Sequence, residues 1–282
     1  MLHFLKKHIT IWKLCILLFI AFGQNAFAQQ QFILKSTYLS SPDTSYVFLP
    51  KTTITFPLEK YPVVILLHGY NGDYKQWNSI IDLQSIADKY NCIIACPDGL
   101  KDSWYFDSPV QNDSKFESFF IEEYLPYIKE NFKIDTNGIF ISGLSMGGHG
   151  ALYLFLRNPD LFASAGSSSG TLDLSASSQK YHSLSNKLGE YDENKARFDE
   201  YSVLNNLNKI KFTNKPIIFD CGNKDHLYAC NQEFKSICDS LYINAFYFSF
   251  PGRHNRAYWK ESILWHFEFF NRVYLNLETT EL

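Results

Sequence analysis

The sequence predicts an α/β fold: a mostly parallel sheet with helices on both faces, in a single domain. Three observations predict it. Short, continuous apolar runs, Val63-Val64-Ile65-Leu66-Leu67 and Ile139-Phe140-Ile141 among them, read as strands buried on both faces. These runs alternate with segments of helical spacing, the order that produces parallel pairing through helical crossovers. One run leads directly into a serine flanked by glycines and then into another helical segment.

Residues 1–28 read as a secretory leader. Lys6, Lys7 and Lys13 form a basic start, and residues 14–22 form an apolar run too short to span a membrane. Ala26-Phe27-Ala28 supplies a small-x-small cleavage signal, which places the cut after Ala28. An uncleaved anchor is the competing reading. Cys15 lies inside the apolar run rather than at its end, against a lipid anchor. Nothing later reaches the roughly 18 apolar residues of a spanning helix. The expectation is a secreted or periplasmic protein, without stable membrane insertion, whose domain is residues 29–282.

Removing 28 of 282 residues, and with them three of 26 basic side chains, leaves 254 residues with 23 basic against 29 acidic groups, a net charge near −6. That balance gives no reason to expect nucleic acid as a partner. The 25 Phe and 18 Tyr are expected mostly in the core, although sugar-binding clefts also use aromatic faces. Five cysteines remain beyond the leader. Cys92 and Cys96 on one strand would stand about 13 Å apart, too far to bond. Cys230 and Cys238 are similarly separated on a helix, and Cys221 is left free to pair with either.

In chain order, residues 38–49 offer short antiparallel strands around a Ser41-Pro42-Asp43 turn. Strand 63–67 is followed by a helix over 79–90, with Ile80, Ile81, Leu83 and Ile86 apolar. Strand 92–96 stops at Pro97-Asp98-Gly99, and an amphipathic helix covers 116–132. Strand 138–142 precedes a helix ending near Pro159. Strands 216–220 and 245–250 enclose a helix, and a last helix covers 257–274. The polar, weakly periodic stretch 170–208 reads as an excursion over the active edge of the sheet.

Gly143-Leu144-Ser145-Met146-Gly147 is a G-x-S-x-G motif between a buried strand and a helix. Such a turn lifts a serine hydroxyl above the sheet, and its glycines make room for neighbouring backbone. The hydroxyl needs a base to become nucleophilic. His254 is chosen because it follows the last strand through Pro251-Gly252-Arg253 and precedes the final helix. His266 lies mid-helix and reads as packing, His149 as structural and His182 as solvated. His226 precedes the last strand, out of order for a base. The acid is Asp225 or Asp220. Asp225, on the loop, is favoured, and Asp220 reads as a turn-stabilising carboxylate. The oxyanion needs two amides: Met146 follows the serine, and Tyr70 is chosen from His68-Gly69-Tyr70-Asn71-Gly72, with His68 structural.

His68-Gly69-x-x-Gly72, Ser103-Trp104-Tyr105, Gly143 to Gly148, Cys221-Gly222-x-x-Asp225 and Gly252-x-His254-x-x-x-x-Trp259 resemble, in order and spacing, the putative-esterase family. That family includes esterase D (S-formylglutathione hydrolase), feruloyl and acetylxylan esterases, and mycolyltransferases. The resemblance spans about residues 34–270. It implies an α/β-hydrolase fold and a triad of Ser145, Asp225 and His254. One departure is Arg253, where these proteins often carry glycine.

The expected activity is a serine carboxylic-ester hydrolase working through an acyl-enzyme, with acetyl or feruloyl groups on polysaccharide as first-choice substrates. A generic short-chain carboxylesterase, an acyltransferase and a non-catalytic binding protein are the alternatives. Export argues against a glutathione thioester, a cytoplasmic compound. No cofactor and no metal is expected, since no ligand cluster stands in the sequence. Trp104, among polar neighbours, and Trp259, five residues past His254, are expected to offer flat faces to substrate.

Overall fold

A computed structural model of the chain describes residues 28–51 and 60–276. The leader, its cleavage site and Cys15 lie outside the described residues. Eight strands form one sheet: β1 (Gln29–Leu34), β2 (Asp43–Phe48), β3 (Tyr61–Leu67), β4 (Ile93–Pro97), β5 (Ile134–Gly143), β6 (Ser164–Ser168), β7 (Ile217–Asp220) and β8 (Ala245–Phe248). Their order is β1-β2-β4-β3-β5-β6-β7-β8. From β4 to β8 every pairing is parallel, while β1 and β2 run antiparallel at one edge. This is the α/β-hydrolase architecture the sequence predicts.

Every residue of β3 and β4 is buried, as strands covered on both faces require. The helices are α1 (Gln76–Ile80), α2 (Leu83–Tyr90), α3 (Phe116–Phe119), α4 (Leu125–Asn131), α5 (Met146–Arg157), α6 (Leu174–Ser177), α7 (His182–Leu188), α8 (Lys195–Tyr201), α9 (Tyr228–Ser240) and α10 (Arg256–Tyr274). Two apolar layers result. One holds Phe106, Phe116, Phe120 and Leu152, and the other, beneath α10, holds Trp77, Phe140, Ile263 and Phe270.

Several elements differ from the sequence expectation. The helix expected over 79–90 is two helices, because the Asp82 side chain accepts from the Ser85 amide at 3.2 Å and starts α2 afresh. The expected helix over 116–132 runs as α3 and α4 with a π-helical stretch, Phe120–Tyr124, between them. β2 pairs antiparallel with β1 and β4 rather than with residues near 38, and β6 carries no apolar run at all. The sequence Ser-Ala-Gly-Ser-Ser lies central in the sheet because helices on both sides press close. A Cβ at Gly166 would stand 2.5 Å from the His266 ring, and one at Gly148 of α5 would stand 2.5 Å from Ser167 Oγ. The excursion holds α6 to α8 and sends Leu172, Leu184, Leu188 and Phe198 into the core.

Candidate active site

The C-terminal ends of β3, β5, β6, β7 and β8 meet along one edge, where ligands bind in open α/β sheets. After β5 the chain turns sharply at Ser145, whose φ of 56° and ψ of −114° lie where a side chain is strained. Backbone contacts hold the turn. The Ser145 amide donates to the Ser168 carbonyl at 2.9 Å, and the amides of His149 and Thr171 donate to the Ser145 carbonyl at 3.1 and 3.2 Å. The motif glycines are needed for passage: a Cβ at Gly143 would lie 2.3 Å from the backbone of Gly147.

His254 reaches Ser145 from the loop after β8. That loop touches the one after β7 through two glycines, since a Cβ at Gly222 would stand 2.5 Å from the Gly252 carbonyl oxygen. The Lys224 amide donates to the same oxygen at 2.9 Å. Immediately beyond His254, the Asn255 side chain accepts from the Tyr258 amide at 3.1 Å and fixes where α10 begins. His254 Nε2 lies 2.9 Å from Ser145 Oγ, and His254 Nδ1 lies 2.9 Å from Asp225 Oδ2. A carboxylate only accepts, so Nδ1 carries the proton and Nε2 presents its lone pair to the hydroxyl.

The Asp225 side chain is fully buried, and its Oδ1 accepts from the Leu227 amide at 2.9 Å. Burial alone would push this carboxyl up, but hydrogen bonding and charge from His254, with the Leu227 amide, outweigh it and hold it below the usual carboxylate range. A strained serine, an imidazole and an ionised acid thus stand in one hydrogen-bonded line.

The family model described as Putative esterase matches residues 36–269. The chain belongs to that family. This esterase is 26% identical over 235 residues to an acetyl esterase of Caldicellulosiruptor saccharolyticus, covering 76% of this chain and 85% of that one. It is 32% identical over 111 residues to S-formylglutathione hydrolase of Arabidopsis thaliana, spanning 39% of this chain and 38% of the relative. It superposes on a solved ferulic acid esterase with a TM-score of 0.74 at 25% identity, over 87% of this chain and 98% of the other. Mycobacterium tuberculosis MPT51 shares the fold, with a TM-score of 0.75 at 16% identity over 88% of this chain and 99% of that one. The protein is a serine esterase, a hydrolase of carboxylic esters.

In this esterase Met146 opens α5, where the first amides lack intrahelical acceptors. Tyr70 lies in the loop after β3, which is braced on both sides. The Gly69 amide donates to Gln76 Oε1 at 2.7 Å, and the Asn71 amide donates to the Lys101 carbonyl at 2.8 Å. The His68 ring is buried between the Gly69 and Asp98 carbonyls, and burial pushes its pKa down to about 4. His149 is buried between the carbonyls of Trp104 and Tyr201, with the same cause and the same direction. His182 is exposed at the start of α7.

Trp104 requires a correction. It has no exposed surface, and its Nε1 donates to Ser183 Oγ of α7 at 3.1 Å. Its polar neighbours face inward: Ser103 Oγ donates to the Gly99 carbonyl, Ser108 Oγ to the Lys187 carbonyl, and Asp107 accepts from the amide and hydroxyl of Ser118. Polarity there marks an internally bonded loop, so Trp104 presents no face to a substrate. Trp259 is also buried, edge-on to the His254 ring at 5.0 Å, where it backs the imidazole rather than lining a cleft.

Two further readings change. Asp220 is not a turn carboxylate, and His266 does more than pack. Asp220 Oδ2 pairs with His266 Nε2 at 2.7 Å, Oδ1 accepts from the Ser168 hydroxyl at 2.9 Å, and His266 Nδ1 meets Ser142 Oγ at 2.8 Å. Asp220 is therefore engaged by His266 while Asp225 meets His254. Three residues given no part in the site by the sequence reading stand beside it. His226 Nδ1 lies 3.2 Å from Asp225 Oδ1, and Lys180 bonds to His226 Nε2. Half-buried Tyr181 packs 5.2 Å from both Tyr70 and Trp104. Burial, and then the charge of Asp225, raise the Tyr181 pKa. A cavity of about 360 Å³ adjoins His226, lined also by Asp173, Lys180, Leu227 and Glu233. All five described cysteines are free thiols.

Proposed function

We propose that this protein is an exported esterase that removes acetyl or feruloyl groups from polysaccharide through an acyl-enzyme on Ser145. The observation that carries the reading is the line from Ser145 Oγ through His254 to Asp225, each link 2.9 Å long. Ser145 Oγ adds to the ester carbonyl as His254 Nε2 takes its proton. Asp225 holds the imidazole in the required tautomer and balances the charge it acquires. The amides of Tyr70 and Met146 bond the oxyanion. Collapse expels the alcohol, protonated by His254, and water repeats the sequence on the acyl-enzyme. Nucleophile, base and oxyanion donors all come from protein, so the chemistry requires no metal or cofactor.

The leader sequence supports export. Likeness to an acetyl esterase and a ferulic acid esterase supports the acyl groups. With Trp104 buried, Tyr181 and Tyr70 are partly accessible rings packed together at the oxyanion loop, suited to a ferulate or a sugar face. The test is a panel of acetylated xylan, feruloylated arabinoxylan and 4-nitrophenyl acetate, assayed on residues 29–282. Release of acetate or ferulate from the polymers is expected. Hydrolysis of the nitrophenyl ester alone would leave a short-chain carboxylesterase, and no hydrolysis would overturn the reading.

A further inference from the structure

Asp225 is shared by two imidazoles. One oxygen meets His254 Nδ1 at 2.9 Å and the other meets His226 Nδ1 at 3.2 Å, while the two rings lie 4.7 Å apart. We propose that Asp225, His226 and His254 form an inhibitory site for a divalent cation of the Zn²⁺ type, which borrows the acid and base of the triad and adds His226. The three side chains offer ligand atoms that all lie within 4.8 Å of one another. Tetrahedral zinc holds nitrogen and oxygen at about 2.0–2.2 Å, which sets neighbouring ligand atoms roughly 3.3–3.6 Å apart. The two Asp–His spacings run to different oxygens of the one carboxylate and are each slightly shorter than that value, so both rings must turn toward a common point to complete the triangle. Two imidazoles and one carboxylate are a ligand set zinc favours, with a fourth position left for water.

The site has an approach. The His226 side chain is 41% exposed, whereas Asp225 is fully buried and already ionised. Asp173 and Glu233 line the adjoining cavity and favour a cation there. Lys180, bonded to His226 Nε2, is an exposed lysine free to swing into solvent.

Occupancy would switch off the base by changing its tautomer, a consequence that rests on His254 acting as that base. A cation takes the lone pair of His254 Nδ1, so the ring's proton moves through solvent to Nε2. An Nε2–H cannot accept the Ser145 proton. His226 undergoes the same tautomer change, each ring keeps one proton, and no net charge leaves the protein.

Two measurements test this. Sub-millimolar ZnCl₂ should inhibit hydrolysis of 4-nitrophenyl acetate by residues 29–282, with full recovery on adding EDTA. His226→Asn, measured against its own metal-free rate, should raise the half-inhibitory concentration at least about tenfold, since even outer-shell partners of a metal are worth that much. In Ser145→Ala, CoCl₂ should produce the visible absorption of tetrahedral cobalt, and adding His226→Asn should abolish it. Equal zinc sensitivity in wild type and His226→Asn, or a cobalt spectrum indifferent to His226, overturns the site. A His226-dependent cobalt spectrum in a protein that hydrolyses no ester supports the cation site and removes the catalytic reading instead.

Discussion

Asp220 and His266 form a second carboxylate–imidazole pair, 2.7 Å apart and without exposed surface on either side chain, alongside the pair that faces Ser145. The two pairs separate structure from chemistry. Asp220→Asn should lower stability by about 3 kcal/mol, a Tm fall of roughly 6–12 °C, because it leaves His266 and Ser168 with a mismatched partner in the core. Asp225→Asn should instead lower kcat by roughly four orders of magnitude at neutral pH, since the amide permits the wrong imidazole tautomer. Thermal melts and steady-state rates on both variants check this, and equal losses of turnover would reject Asp225 as the acid.

Ser145→Ala should remove ester hydrolysis by roughly three or more orders of magnitude in turnover. The fold should persist, because the turn is held by backbone bonds to Ser168, His149 and Thr171 rather than by the hydroxyl. Circular dichroism with a progress curve for 4-nitrophenyl acetate decides it. Retention of a tenth of the activity would exclude Ser145 as nucleophile.

Trp104→Ala should unfold the protein more readily, by about 3–5 kcal/mol, and harm large and small esters alike. Tyr181→Ala, at a half-buried position, should leave Tm nearly unchanged. It should raise KM for feruloyl substrates several-fold more than for 4-nitrophenyl acetate. A stable Trp104→Ala protein with a selective KM defect would return the indole to the substrate cleft.

Stability should fall in acid partly through His149. Burial holds its folded-state pKa near 4, below the ordinary 6.5, so the folded chain binds fewer protons between those values. Its contribution is complete above pH 6.5 and is lost as pH falls toward 4, by up to about 3 kcal/mol. Tm measured across that window should decline less steeply in His149→Gln than in wild type. Parallel slopes would show that His149 is not the group taking up the proton.

Legibility in the sequence followed burial and chain order. β3, β4 and the core of β5 announced themselves as unbroken apolar runs, and Ser145, Asp225 and His254 fell just beyond β5, β7 and β8. β6 gave no such signal, because its neighbours demand small side chains rather than apolar ones. The Trp104 loop misled for the opposite reason: serines and aspartates that read as surface bond to backbone instead of water. Lys180, Tyr181 and His226 come together only once the excursion folds back over the sheet edge, and no spacing along the chain records that.

The cysteines bear on how the protein can be made and used. Burial raises the Cys92 thiol to about 12, Cys230 to about 11 and Cys238 to about 12, and pushes Cys96 and Cys221 up as well. A thiol that stays protonated resists both air oxidation and alkylation. Since all five described cysteines are free, no disulfide among them holds the fold, and residues 29–282 should fold in a reducing cytosol as in an oxidising compartment. A single cysteine introduced on the surface should then outpace the native thiols, partly exposed Cys230 included, in taking a maleimide dye or a solid support, so the enzyme can be immobilised in a chosen orientation.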